Sequence, residues 1–109
     1  MDKKYRVVVS MEARDDLKRE LDYIRRKWSV QRAKIVRDGI SKAITKLDTF
    51  PGAHPKLHRI CTEERTYRFV PKWSYLIIFR IEIEEDQVRV VSIFSSDQEP
   101  ENVDKIKER

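Results

Sequence analysis

The stretch WSYLIIFRIEI, residues 73–83, is the segment on which the fold prediction depends. Every second side chain in it is large and apolar: Tyr75, Ile77, Phe79, Ile81 and Ile83. Because successive side chains of a strand point to opposite faces of a sheet, this alternation predicts a strand with one buried face. Similar runs over residues 66–70 and 88–94 predict neighbouring strands, and the polar residues 84–87 predict a solvated turn before the last one.

Two amphipathic helices are predicted upstream of these strands. Residues 5–9 are mostly β-branched and predict a short strand, after which Ser10 is a plausible N-cap. The apolar residues of the first helix recur at steps of three and four: Ala13, Leu17, Leu21, Ile24 and Trp28. Ser29 caps a second helix with the same spacing, at Ala33, Val36, Ile40, Ile44 and Leu47. Phe50-Pro51-Gly52 ends it.

The order of these elements predicts an α+β fold, β-α-α-β-β-β, in a single domain over residues 1–109. The helices form a hairpin packed on one face of an antiparallel sheet, which needs that cover for its apolar side chains. Residues 100–109 predict a short C-terminal helix. Gly39 lies in the middle of the second helix, where glycine costs about 1 kcal/mol, and this predicts close approach of another backbone segment.

The surface is densely charged and basic. Charged residues make up 39% of the chain. It contains 24 lysines and arginines and 19 acidic residues, which gives a net charge of +5. Such an excess favours nucleic acid, acidic protein or anionic lipid as a partner, although a merely soluble surface explains it too.

Several functional classes are excluded by composition. Cys61 is the only cysteine, which allows no internal disulfide and suits the cytoplasm. The longest apolar run, residues 75–79, is far too short to span a membrane. With only two glycines, the chain can contain no phosphate-cradling loop, and no cofactor is expected.

Basic residues concentrate between positions 51 and 80. They are predicted to bind nucleic acid: Lys56, Arg59, Arg65, Arg68, Lys72 and Arg80. Four aromatic residues are interleaved with them, namely Tyr67, Phe69, Trp73 and Tyr75. These rings either stack on bases or pack in the core, and strand alternation favours the core.

The two histidines lie in the same basic loop. His54 and His58 are four residues apart, but Pro55 separates them and no third ligand is near, so no metal site is predicted. His58 is a candidate for proton transfer, because imidazole titrates near neutral pH, although a solvated surface histidine is the commoner case. A second basic patch, Arg25-Arg26-Lys27 with Arg32 and Lys34, is explained by the helix dipole and solubility.

The chain resembles the RelE/ParE superfamily of bacterial toxins over about residues 4–103. The resemblance rests on the order and spacing of short motifs: residues 5–10 with Ala13, Asp16-Leu17, Tyr23-Ile24, Ile44 to Leu47, Phe50-Pro51, Tyr67-Arg68-Phe69, residues 75–79, residues 88–94 and Gln98-Glu99-Pro100. It implies the toxin of a type II toxin-antitoxin system for plasmid stabilisation, neutralised by an antitoxin whose acidic or amphipathic tail wraps the basic surface.

Two activities are implied by this superfamily. RelE-like members cut messenger RNA on the ribosome without a metal, and the resemblance assigns that catalysis in this chain to Lys56, His58, Arg59, Arg68 and Lys72. ParE-like members poison DNA gyrase instead, and a weakened member would retain only antitoxin binding. The sequence departs from the RelE pattern after the last strand, where Ser95-Ser96-Asp97-Gln98 replaces a histidine or arginine. The mRNA endonuclease is the expected activity, with gyrase poisoning as the alternative.

Overall fold

The computed structural model describes residues 4–96 and 105–109. Its helices are α1, Met11–Lys27, and α2, Val30–Thr45. Its strands are β1, Arg6–Val9; β2, Arg68–Lys72; β3, Tyr75–Glu82; and β4, Gln87–Ser95. The predicted element order and the α+β class are confirmed. Of the predicted C-terminal helix, residues 100–104 lie outside the described ranges, and Lys105–Glu108 form a 3-10 turn.

The four strands form one sheet in the order β1-β4-β3-β2. β2, β3 and β4 are antiparallel, as predicted, whereas β1 runs parallel to β4 at the edge. A parallel neighbour requires a long crossover connection, and the whole helical hairpin supplies it. Ser10 and Ser29 cap the two helices through their hydroxyl oxygens, which accept hydrogen bonds from the backbone of Ala13 and Arg32.

The helices cover one face of the sheet and close the larger core. The predicted apolar faces of the two helices pack there on the apolar face of the strands. The buried residues include Ala13, Ile40, Leu47, Ile77 and Phe79. Tyr75 and Ile81 pack against this cluster, as the alternation in residues 73–83 predicts. Ile83 does not, because the strand ends at Glu82 and Ile83 is exposed in a 3-10 turn.

The opposite face of the sheet is covered by irregular chain. Tyr67, Ile78 and Val91 are buried there beneath Ile60 and Ile106. Residues 51–65 therefore do not form a detached loop: Lys56 pairs with Arg68 in an antiparallel bridge, which extends the β2 edge. The C-terminal turn is fixed by the Tyr67 hydroxyl, which donates to the carbonyl oxygen of Lys107 at 3.1 Å.

Several strand boundaries differ from the prediction by one or two residues. β2 begins at Arg68 and not at position 66, and Trp73 belongs to the turn between β2 and β3. The physical reason for the later start of β3 is the backbone of Trp73, whose φ of 53° is left-handed and incompatible with an extended strand.

Asp16 joins α1, β4 and the C-terminal turn. One of its carboxylate oxygens accepts hydrogen bonds from the Ser92 hydroxyl at 2.9 Å, the Ile93 amide at 3.2 Å and the Arg109 guanidinium at 2.8 Å. The other oxygen accepts from Arg19 at 2.6 Å. β4 extends beyond the end of β1 at this point, so Asp16 satisfies an edge amide that has no strand partner there.

Replacing Asp16 with alanine should lower the free energy of unfolding by about 3 kcal/mol, because buried donors lose their acceptor. Asp15→Ala, at the neighbouring exposed position of the same helix, should change it by less than about 0.5 kcal/mol. Urea unfolding of both variants measures the difference. Equal effects would contradict the role assigned to Asp16.

Candidate functional site

Basic residues meet at the end of the sheet where β2 begins and β3 ends. A cavity of about 320 Å³, which we call the basic pocket, is lined by Lys56, Glu64, Arg65, Thr66, Arg68, Arg80, Ile81 and Ile83. Four of the six residues predicted to bind nucleic acid therefore share one pocket. The bridge between Lys56 and Arg68 brings the loop and the strand together at this point.

Two arginines of the basic pocket are held in place by backbone acceptors. Arg68 donates to the carbonyl oxygen of His54 at 2.7 Å, and Arg80 donates to the main-chain oxygen of Arg109 at 3.1 Å. The Nε atom of Arg80 is buried and meets no acceptor among the described residues. Because a guanidinium has five N–H donors, both arginines retain capacity for a further acceptor.

The remaining predicted site residues lie elsewhere. His58 and Arg59 are on an exposed 3-10 turn, His58–Ile60, and neither lines the basic pocket. Lys72 lies at the other end of β2, four residues from Arg68, which corresponds to about 13 Å of strand. The five residues assigned to RNA cleavage are thus not gathered in one pocket. Their catalytic role stays a prediction, and Asp97 and Gln98 lie outside the described residues.

No metal site is found within residues 4–96 and 105–109. The His54 ring packs edge-on against Phe79, with 5.8 Å between the ring centroids. Since no histidine lines the described part of the basic pocket, this pocket offers cations for an anion but no side chain that titrates near neutral pH. Chemically it can bind and orient a polyanion.

A larger groove lies between the helical hairpin and the β2–β3 turn. This aromatic groove has a volume of about 1200 Å³ and is lined by Arg19, Glu20, Tyr23, Ile24, Trp28, Ser29, Gln31, Arg32, Ile35, Val36, Trp73, Ser74, Tyr75 and Ser95. Both tryptophans of the chain are in it. Trp28 is 60% exposed and Trp73 is 57% exposed, which leaves large apolar surfaces open to solvent.

Cations stand over three of the exposed rings at this groove. Arg32 lies 4.7 Å from the ring centre of Trp28, and Lys72 lies 4.6 Å from that of Trp73. Lys27 lies 5.5 Å from the ring centre of Tyr23. These distances are within the range of cation–π attraction, about 6 Å. The rim of the groove is therefore positive while its floor is apolar.

Gly39 creates the space in which Trp73 sits. A Cβ atom at position 39 would lie 2.6 Å from Cζ3 of the Trp73 indole and still closer to Cη2. The expected close approach is confirmed, but the neighbour is a side chain and not a backbone segment. Trp73 also has a left-handed backbone, which costs about 1–3 kcal/mol for a bulky residue. Such strain at an exposed aromatic residue is typical of a functional position.

Tyr75 lies deeper in the groove. Burial raises the pKa of its phenol above the usual value, and the negative charge of Glu20 raises it further. Its hydroxyl group therefore stays protonated at all physiological pH values and can donate a hydrogen bond to a bound partner.

Sequence reasoning missed most of the aromatic groove. Trp28 continues the apolar stripe of α1, which predicts a core position, yet it is the exposed C-cap of that helix. Of the four interleaved aromatics, Tyr67 and Phe69 pack in the core, Tyr75 packs against the core and also lines the groove, and Trp73 lines the groove. One signal of this groove was present in the sequence. Ile35 is apolar but lies off the buried apolar face of α2, and it is exposed in the structure.

Comparison with known proteins identifies the family. The model described as the ParE toxin of the type II toxin-antitoxin system, parDE, matches residues 7–100. The chain belongs to the ParE toxin family. The residues matched extend from β1 to just beyond β4 and so include both lined surfaces. No protein with a curated description matches this ParE-family sequence.

A solved structure agrees with this ParE assignment at the level of fold. A chain of the chromosomal ParDE TA system from P. aeruginosa superposes on it with a TM-score of 0.69 at 14% sequence identity. The match covers 85% of this chain and 97% of that chain. At this identity the likeness concerns the fold alone.

Gly39→Ala in this ParE-family protein should reduce the free energy of unfolding by about 1–3 kcal/mol, because the new methyl group collides with Trp73. In a Trp73→Ala background the same change should stabilise by up to about 1 kcal/mol, because alanine is the better helix former. A thermodynamic cycle from four urea unfolding curves measures this reversal of sign. Stabilisation in both backgrounds would show that Trp73 does not occupy the notch.

Proposed function

We propose that this ParE-type toxin inhibits growth by binding a protein target, DNA gyrase, and that a cognate antitoxin neutralises it in the cytoplasm. The observation that carries the proposal is the aromatic groove. A preformed apolar surface with two open tryptophans is suited to a protein partner, since tryptophan, tyrosine and arginine dominate the energetics of protein interfaces. The ParE family match supports gyrase as the target.

The groove is prepared for binding before a partner arrives. Trp73 is fixed by the notch at Gly39 and by its left-handed backbone, so it loses little conformational freedom on binding. Its ring is flanked by Lys72, and Trp28 is flanked by Arg32. An acidic, amphipathic antitoxin tail matches a positive rim around an apolar floor, which supports the antitoxin as one occupant of this surface.

Ribosome-dependent cleavage of mRNA is the second candidate. It is favoured by one observation, that Lys56 and Arg68 line the same basic pocket. Against it stands the position of His58, which is exposed outside that pocket. General acid–base catalysis contributes about 10²- to 10⁴-fold to a rate, and the cations alone do not supply it. Protein binding is therefore the better supported function.

Induction of the protein in growing cells distinguishes the two functions. We expect transcripts to stay intact while plasmid supercoiling falls and replication stops. His58→Ala combined with Arg59→Ala should remain toxic, whereas Trp28→Ala combined with Trp73→Ala should lose toxicity, because the apolar contacts of the groove are removed. Phe50→Ala is the matched control, since Phe50 is an exposed aromatic residue outside the groove.

Rapid loss of transcripts with normal supercoiling would show that the target is the ribosome and not gyrase. Absence of any growth inhibition by the folded protein would sink both candidates. Co-production of an acidic protein encoded in a neighbouring reading frame should restore growth, and this arm tests the antitoxin separately from the target.

A further inference from the structure

We propose that the basic pocket binds the backbone phosphates of nucleic acid without cleaving them. The inference does not depend on the aromatic groove or on gyrase, because it concerns the opposite end of β2 and a different chemistry. It gives the protein a second, independent contact surface, one suited to the phosphodiester backbone that DNA and RNA share.

The first support is an excess of positive charge in the pocket. Lys56, Arg65, Arg68 and Arg80 line the pocket together with a single carboxylate, that of Glu64. Within residues 4–96 none of the four cations forms an ion pair with an aspartate or glutamate at short range, and the nearest attraction is that between the charges of Arg80 and Glu82. Clustered cations repel one another, and a bound anion removes that repulsion.

The second support is preorganisation. Arg68 and Arg80 are half-buried, and each donates to a main-chain oxygen, that of His54 and that of Arg109, so their guanidinium groups are fixed before an anion binds. The carbonyl oxygen of His54 is uncharged and leaves the positive charge of Arg68 intact. Planar guanidinium groups match the geometry of phosphate oxygens, and charge-assisted hydrogen bonds to phosphate are stronger than neutral ones.

The third support is the buried Nε atom of Arg80. A buried donor that meets no acceptor in the described part of the protein is costly, about 1–3 kcal/mol. An arginine at this position is explained if its other guanidinium N–H groups donate hydrogen bonds to an anion in the pocket.

The size and walls of the pocket favour a backbone contact over recognition of a base. Its volume of about 320 Å³ is at the lower end of ligand pockets, roughly 300–1,000 Å³. Lys56 and Arg65 are exposed at its mouth and can follow a chain of phosphates, while exposed Ile83 provides an apolar wall for a sugar. The interaction should therefore be independent of sequence and sensitive to salt.

The test uses the full-length protein and fluorescein-labelled oligonucleotides of mixed sequence: single-stranded DNA, the same sequence as RNA, and duplex DNA. Fluorescence anisotropy at several salt concentrations gives affinity and its salt dependence. Lys56→Ala combined with Arg65→Ala should weaken binding at low salt about tenfold or more. It should also reduce the slope of log K against log salt by about 0.7 for each lost contact on single strands.

The matched control is Lys18→Ala combined with Lys42→Ala, which removes the same charge at exposed helix positions outside the pocket. It should weaken binding less than twofold. Similar binding of DNA and RNA, both recovered intact, supports the proposal.

Four results would overturn it: no binding of any oligonucleotide at low salt, an equal loss in the control variant, cleavage of the RNA, or displacement by polyglutamate at the same charge concentration. The last result would indicate an acidic protein as the ligand. Cleavage of the RNA would show that the protein catalyses a reaction on the nucleic acid and does not only bind it. Circular dichroism of each variant confirms that the exposed substitutions leave the fold intact.

Discussion

The contact between Trp73 and the notch at Gly39 sets the position of an exposed indole ring in the aromatic groove. It docks the β2–β3 turn on the middle of α2, next to the aromatic groove that Trp73 lines. Two unfavourable features are retained for this contact: a glycine inside a helix and a left-handed tryptophan. Both are understandable if a rigid, exposed indole is what a partner requires.

The two candidate surfaces are separated by the length of β2. Lys72 ends that strand at the aromatic groove, and Arg68 begins it at the basic pocket. One surface is apolar with a positive rim, and the other consists mainly of cations. In the two proposals, the basic pocket and the rim of the aromatic groove are the places where part of this positive charge contacts a partner.

The parts of the fold that follow a periodic pattern could be predicted from sequence. The stripes of α1 and α2 and the alternation in β3 predicted the helix-covered core, because burial on one face imposes the period. Three features could not be predicted in this way. The parallel position of β1 depends on long-range pairing, the role of Asp16 depends on three distant donors, and Ile106 covers the second face from far along the chain. The basic pocket was predicted in part. The clustering of its cations is visible in the sequence, but the position of His58 and Lys72 outside the pocket is not.

In the proposed function, the aromatic groove is the surface that meets the protein target. Because both tryptophans of the chain lie in it, their two indole N–H signals report on the groove alone in a ¹H–¹⁵N NMR spectrum of the labelled protein. Titration with purified gyrase should shift or broaden both indole signals, with saturation at a fixed stoichiometry. If gyrase binds while both indole signals stay unchanged, the target contacts another surface and the role proposed for the aromatic groove is wrong.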